Sequence, residues 1–255
     1  MLEKALSVWR VIVSFAVLVA LWQLAYVVSP YPDALFPSPA QAAGALGELA
    51  LSGRIWTDIQ ASMFRYVVGY ASAALIAIVL GLLLGWFSRA WRYVNPVVQF
   101  IRPISPMAWL PFIVLLLGIG DVPAIAIVFI AAFFPVLVGA VTAVNNVDPT
   151  YLKVARNFDI RGAAVLFKVV FPAAFPQIMA SLRMAIGTAW IFLVAGEMVG
   201  SQTGLGYLII DARNNLSADK LLAAIIVIGI IGFALDTLVK LVERKVLRSW
   251  GKEEA

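Results

Sequence analysis

The sequence predicts an all-α polytopic membrane protein of about six transmembrane helices, with both termini in the cytoplasm. Three observations carry that reading. Of the 255 residues, 63% are hydrophobic and 13% charged, and the mean hydropathy is +0.96. A soluble domain carries roughly 25% charge and about 45–50% apolar residues, so lipid must solvate much of this chain. Apolar runs near the ~20 residues that cross a bilayer recur along it. Lys and Arg gather in alternate loops. No polar linker interrupts the series, so residues 1–255 read as one transmembrane domain.

The first run extends from Val11 to Val28 and is closed by the turn Ser29-Pro30-Tyr31-Pro32-Asp33. No small-residue cleavage site follows it, so it is expected to stay as a helix and not to be removed as a signal peptide. Phe36-Pro37-Ser38-Pro39 then breaks the chain. Ala40 to Leu51 reads as a short surface helix, with Ser38 as its cap and Pro39 in its first position. The second span runs from about Tyr66 to Ser88, and its Gly81 and Gly85 allow close approach of another helix. The third, about Pro103 to Gly120, holds Pro103, Pro106 and Pro111 and is expected to be bent or to start late.

The fourth span is Val122 to Val144, with Pro135 inside it. From Asn145 to Lys168 the chain is polar and basic yet keeps helical spacing. The fifth span, about Pro176 to Val199, includes Arg183, and the sixth, about Leu221 to Leu241, includes Asp236. A central charge costs about 2.5–3.5 kcal/mol on insertion scales. Arg183 lies near one end and can snorkel. Asp236 requires a partner, an aqueous cavity or a place near the interface.

Charge placement sets the topology. With the N-terminus inside, the inner stretches hold Lys4, Arg10, Arg89, Arg92, Arg102, Lys153, Arg156, Arg161, Lys168, Lys240, Arg244, Lys245, Arg248 and Lys252. The outside keeps Arg54, Arg65, Arg213 and Lys220. The inverted arrangement would violate the positive-inside rule in nearly every loop. The net charge of +5 therefore reads as a topology signal and not as a nucleic-acid surface. Trp9, Trp22, Trp86, Trp91 and Trp250 mostly fall near span ends, as an aromatic belt places them.

Composition also excludes chemistry. There is no Cys and no His, which removes disulfides, thiolate or imidazole metal sites, and Ser-His or Cys-His catalysis. No G-x-x-x-x-G-K-[ST] occurs, so this chain has no phosphate-cradling loop of that kind. The predicted chain is not an enzyme and carries no cofactor of its own.

The most informative stretch follows the fourth span: Val147-Asp148-Pro149-Thr150-Tyr151-Leu152-Lys153-Val154-Ala155-Arg156-Asn157-Phe158-Asp159-Ile160-Arg161-Gly162. Asp148 can cap a helix that begins at Pro149. Leu152, Ala155 and Phe158 share a face at i, i+3 and i+6, with Tyr151 beside it and Lys153, Arg156 and Arg161 around it. Pattern alone leaves two readings open: a helix resting on anionic headgroups, or a docking helix for a cytoplasmic partner.

This loop resembles the EAA motif of ABC importer permeases. Lys153-Val154-Ala155 takes the place of Glu-Ala-Ala, Asp159 falls on the glycine, Val169 on the isoleucine, and Phe171-Pro172 on Leu-Pro. Ala155 and Pro172 match outright. The flanks are similar to the nitrate, sulfonate, taurine and bicarbonate branch: Arg102-Pro103-Ile104-Ser105-Pro106-Met107-Ala108-Trp109-Leu110-Pro111, Gly118-Ile119-Gly120-Asp121, Pro172-Ala173-Ala174-Phe175-Pro176, Ala189-Trp190-Ile191, Ala195-Gly196-Glu197-Met198 and Gly204-Leu205-Gly206-Tyr207. The likeness covers a core of about 60–245, with the coupling loop at 145–172.

The resemblance implies a type I importer permease fold in a bacterial inner (cytoplasmic) membrane. It implies a pathway formed by two permease copies as a homodimer, two ATPase subunits holding ATP and Mg, and an external binding protein that delivers substrate. It implies alternating access for a small anion. It makes Asp148, Tyr151, Leu152, Lys153, Ala155, Arg156, Phe158 and Asp159 the ATPase-coupling residues. A missing glycine at Asp159 is expected to move the turn, to Gly162.

Four further residues are candidates for the translocation pathway. Arg65, at the outer start of the second span, either attracts an anionic substrate or anchors the interface. Glu197, at the outer end of the fifth, is either functional or interfacial. Met107 and Trp109, among prolines, either face a pore or pack. The run Ser201 to Tyr207 is an outer loop that contacts the binding protein or simply turns. The rival reading is a secondary transporter or channel that works without ATP, which requires buried ion-coupling carboxylates.

Overall fold

The computed structural model describes residues 2–249. Trp250 and Lys252, assigned above to the aromatic belt and the inner charge set, lie outside the described residues, as do the side chains of Lys4, Arg244, Lys245 and Arg248. The described elements are all helical: α1 (Leu2–Val28), α2 (Pro39–Leu51), α3 (Arg54–Trp86), α4 (Ser88–Ile101), α5 (Pro106–Leu117), α6 (Asp121–Asn145), α7 (Pro149–Asn157), α8 (Ala163–Val165), α9 (Phe171–Gly200), α10 (Leu205–Asn214) and α11 (Ala218–Ser249). A π-helical turn, Leu166–Val170, joins α8 to α9. Five of these helical stretches are long and apolar enough to cross a membrane, or six crossings if the bent pair α4–α5 counts as one.

Helix α6 forms the spine, packed along α3 on one side and α9 on the other. Small residues make this possible. A Cβ on Gly69 would stand 2.8 Å from Val128, one on Gly81 would stand 2.5 Å from the Ala140 Cβ, and one on Gly85 would stand 2.7 Å from Val144. These contacts recur along the length of α3, so the two helices meet as a continuous seam. In lipid, such van der Waals packing replaces the hydrophobic drive that water provides. Polar groups finish the joint: the hydroxyls of Tyr66 and Tyr70 donate to the Ile186 and Leu182 carbonyls of α9 at 3.1 and 2.9 Å. Trp190 Nε1 donates to the Ile228 carbonyl of α11 at 3.2 Å.

The first span stands apart. None of its apolar window is buried within the chain, against half of that of α6. It is tied down at one end, where Trp22 Nε1 donates to the Pro37 carbonyl at 3.2 Å and Tyr26 Oη donates to Asp33 at 2.9 Å. Helix α2 begins as expected, with a reciprocal Ser38–Gln41 capping box and Pro39 in the first turn. It is less superficial than its sequence suggests, because Ala42, Ala45 and Leu49 are buried against α3 and α11.

The bounds of the second and fifth spans change, and those of the third do not. The second span starts twelve residues before Tyr66, at Arg54, so Arg65 lies well inside helix α3. The third starts late and bent, as its prolines lead one to expect. Pro103 and Pro106 break the chain, and the helix that starts at Pro106 has 12 residues, about 18 Å at 1.5 Å per residue and short of a ~30 Å hydrocarbon core. It meets α4 at 89°. The fifth begins at Phe171 and continues back through the π-helical turn to Ala163. Pro172 lacks an N–H and would crowd the carbonyl four residues back, and the wider turn just before it relieves that conflict.

The two charges that weakened the last spans find partners. Arg183 Nη1 stands 2.8 Å from Glu243 of α11. Asp236 pairs with Lys240 one turn on, and both are about half exposed.

The seam gives a paired test. Gly81→Ala forces Ala140 and its helix apart and should destabilise the protein by about 1–3 kcal/mol. Gly44→Ala in α2, whose Cβ would meet nothing within 4 Å, should instead stabilise by up to about 1 kcal/mol. Thermal unfolding of the purified protein in detergent measures both.

Candidate functional site

Two polar constellations occupy opposite ends of the α3–α6–α9 unit. At the end where α3 and α6 begin and α9 stops, Arg65 and Glu197 form a buried ion pair, with side chains 2% and 0% exposed and Nη1 2.7 Å from Oε1. Every N–H of the guanidinium is engaged. Nε donates to Asp121 at 2.7 Å, Nη1 donates to Glu197 and to the Thr203 carbonyl, and Nη2 donates to Thr203 Oγ1 at 2.6 Å while standing 2.7 Å from Asp121. A guanidinium has five N–H donors and these contacts use them all.

The carboxylates do a second job. Helix α10 starts at Leu205 with no side-chain cap of its own. Its first amides are capped from other helices. Gly204 N–H donates to Asp58 at 2.8 Å, Leu205 N–H to Ser62 Oγ at 2.9 Å, and Gly206 N–H to Glu197 at 3.0 Å. Ser62 Oγ in turn donates to Glu197 at 2.8 Å. Negative side chains thus sit at the positive end of the helix, where its free N–H groups need partners. Gly204 has φ +103, and a Cβ there would collide with Glu197 Oε1 and Arg65 Nη1. The second oxygen of Asp58 has no hydrogen-bond partner and lies 3.8 Å from Arg54 Nε.

This geometry corrects two expectations. An interfacial place was one of the two readings of Glu197, and it is instead fully buried. Arg65 was read as an interfacial anchor or a ligand for anions, and it is buried with no donor to spare. Neither side chain is open to a pathway. Met107 and Trp109 are half-buried against Leu110, Ile113 and Ile127, the cluster that joins α5 to α6 and α9, which favours packing. Loop Ser201 to Gly204 is held in place by Arg65 and by Ser201 Oγ donating to the Gly120 carbonyl at 3.1 Å. The sequence signal for the cluster was the intrahelical charges; their mutual pairing was not visible.

At the other end, α7 forms as expected. Asp148 is its N-cap and accepts from the Thr150 amide at 2.7 Å. That hydrogen bond holds the Asp148 carboxyl below the usual carboxylate range. The C-terminal end also closes locally. Ile160 N–H donates to the Ala155 carbonyl at 2.9 Å and Asp159 N–H to the Arg156 carbonyl at 3.0 Å, the double bond of a Schellman motif. Its left-handed position is Asp159, with φ 54. The turn therefore stays at Asp159 and is not displaced to Gly162, although Gly162 also has positive φ.

The face assignment of α7 changes. Ala155 is 2% exposed and packs with Leu152, Val165, Leu166 and Val170 into the chain's own core. Leu152 and Ala155 therefore anchor the helix and do not share an outward face with Phe158. The outward stripe is Tyr151, Val154 and Phe158, at i, i+3 and i+7, respectively 56%, 46% and 76% exposed. Lys153 and Arg156 flank it, and Arg161 pairs with Asp159. Val154 had not been singled out, because the shared face depends on which side of the helix finds a core. Among the described residues, no group of three or more Asp or Glu side chains is placed to hold a metal.

A multi-pass helical bundle with a short amphipathic helix at one end defines a polytopic membrane protein. The family model for the inner-membrane component of binding-protein-dependent transport systems matches residues 77–248, and the chain belongs to that family of ABC transporter permeases. It is 33% identical over 233 residues to a putative aliphatic sulfonates transport permease of Bacillus subtilis, covering 91% of this chain and 84% of that one. It is 31% identical to a nitrate import permease of Synechocystis (94% and 90% covered) and 30% identical to the taurine transport system permease of Escherichia coli (94% and 89%). The fold is similar to that of a chain in the inward-facing MetNI methionine ABC transporter, with TM-score 0.60 at 19% identity, over 76% of this chain and 98% of that one.

Three outcomes follow. Arg65→Met leaves Glu197 buried without its cation and should cost about 3–5 kcal/mol, and adding Glu197→Gln should recover part of the loss. Thermal unfolding of both variants measures the coupling, and strictly additive losses would refute it. The Asp148 value is lower folded than unfolded, so its cap acts fully above the ordinary carboxylate range and is lost as pH falls through the folded value. Protection of the amides of residues 150–152, taken relative to their intrinsic exchange rates, should fall in that acid window, and in Asp148→Asn it should not change there. Asp159→Gly should stabilise the α7 end by about 1 kcal/mol, since a left-handed non-glycine residue costs roughly that much.

Proposed function

We propose that this chain is the pathway-forming subunit of an ATP-driven importer, paired with a second copy of itself in a cytoplasmic membrane. In this reading, α7 docks on a cytoplasmic ATPase subunit, and an external binding protein delivers a small oxyanion or sulfonate. The observation that carries it is the build of α7. One face is welded into the chain's core through Leu152 and Ala155, while Tyr151, Val154 and Phe158 present apolar surface outward between Lys153 and Arg156. A helix fixed on one side and unsatisfied on the other is a lever for a partner.

The family adds the division of labour. Its members are permeases that act with separate ATPase subunits, and the relatives' names specify sulfonate, nitrate and taurine. Sulfonate, nitrate and taurine all carry an oxyanion group, which supports that substrate class. Both termini are assigned to the inner side by the Lys and Arg asymmetry. On ATP binding the ATPases close, α7 moves with them, and the motion passes through the π-helical turn at Leu166–Val170 into α9. The pair then rocks to open outward. Asp148 and Asp159 hold the two ends of the lever rigid. Arg65 and Glu197 keep the far end of the bundle together during the movement. Met107 and Trp109 act as packing residues for α5. Of the carboxylates that an ion-coupled carrier would use, Asp236 is paired with Lys240, and the buried Glu197 is answered by Arg65, Ser62 and the Gly206 amide.

The test is binding-protein-stimulated ATP hydrolysis in reconstituted complexes with the cognate ATPase and binding protein. Val154→Glu places a charge on the outward face without touching the core. It should lower stimulated hydrolysis at least tenfold and leave insertion and thermal stability intact. Ala155→Glu should instead destabilise the chain itself. Unchanged stimulation in Val154→Glu would remove α7 as the docking element. Competition among nitrate, taurine and alkanesulfonates for the binding protein assigns the substrate.

A further inference from the structure

Helix α4 is not used by the reading above. It begins just past the point where Gly85 meets Val144, at the α7 end of the bundle. Its direction follows from α5. Helix α5 ends at Leu117, with three residues left before α6 begins at Asp121, and the two helices pack on each other, with Leu110 and Val114 near Gly200 at the end of α9, so α5 runs back along α6. A helix at 89° to α5 therefore lies across the bundle axis, which is the plane of a membrane surface.

The residues of α4 divide into three faces. Val98 is buried against the chain's core, with Trp91 half-buried beside it. Arg89 and Arg92, one turn apart, are exposed and make no ion pair or hydrogen bond to another described side chain. Tyr93, Val97 and Phe100, at i, i+4 and i+7, are 84%, 56% and 77% exposed. A shallow depression is lined by Arg89, Arg92 and Tyr93. The first turn of α4 also has no side-chain cap, so its positive end points to the same place.

A soluble surface would not pair a bare aromatic stripe with two unpartnered guanidinium groups. A membrane interface does, because guanidinium groups meet phosphate while the aromatic and aliphatic side chains enter the acyl boundary. We infer that α4 is an interfacial helix carrying a binding site for an anionic phospholipid, whose headgroup phosphate lies between Arg89, Arg92 and Tyr93 and whose acyl chains lie along Val97 and Phe100. Charge complementarity selects this occupant over a second copy of the chain, which would bring the same positive surface to the same place across a two-fold axis. The inference rests on the membrane placement of the bundle and not on which solute is carried.

The experiment places a benzophenone amino acid at position 97 of the full chain, in nanodiscs of equal phosphatidylglycerol and phosphatidylcholine. After illumination, mass spectrometry counts lipid adducts. Phosphatidylglycerol adducts should exceed phosphatidylcholine adducts several-fold. The excess should fall to parity in Arg89→Gln/Arg92→Gln and persist in Arg89→Lys/Arg92→Lys, with thermal unfolding confirming that both variants fold. Parity in the unsubstituted chain overturns the inference, because the face would then be merely lipid-exposed. So does a predominant adduct to a second permease copy, or to the ATPase subunit in the assembled complex. Failure of ATPase stimulation in Val154→Glu to respond leaves this readout untouched, so the two proposals fail separately.

Discussion

An arginine buried in a membrane helix is costly unless every donor is satisfied, and Arg65 dictates its surroundings for that reason. Its five N–H groups need acceptors that no single helix supplies. Asp121 comes from the start of α6, Glu197 from the end of α9, and Thr203 from the loop beyond. Glu197 in turn needs donors, which are Ser62 and the first turn of α10. One charge thus fixes the relative placement of three spans, a loop and a short helix. The close contact of Gly204 with both charged side chains shows how little slack this arrangement has.

The rest of the bundle extends that constraint along its length. From the Arg65 cluster, the small-residue seam between α3 and α6 runs past Ala140 to Val144, and the tyrosine hydroxyls of α3 grip α9. The three helices pack as one unit. The far end differs. There α7 is joined to α9 through Gly162, a three-residue helix and a π-helical turn before Pro172. Backbone hydrogen bonding turns irregular at that joint.

The likeness to oxyanion permeases also has a structural sense at α7. The position that holds glycine in the EAA pattern is where the chain must turn left-handed after the helix, and Asp159 takes that conformation at a modest cost. Leu216, also at positive φ, ends α10 in the same way, with Ser217 N–H donating to the Ala212 carbonyl at 2.9 Å.

What the sequence by itself determined is what depends on local composition and spacing. Apolar runs gave the long spans, Ser38 and Asp148 gave the caps of α2 and α7, and the prolines at 103 and 106 gave the break before α5. The order of motifs gave the family. Tertiary structure decided the rest, because those features depend on partners distant along the chain. Arg65 and Glu197 are 132 positions apart, and nothing local to either says that they meet. Which side of α7 is buried depends on Val165, Leu166 and Val170 folding back beneath Ala155, so the helical period alone joined Leu152 and Ala155 to Phe158 although the fold turns those two inward. The length of α3 was underestimated because Arg54, Asp58 and Arg65 read as water-facing, and they are helical because their charges are answered by other elements.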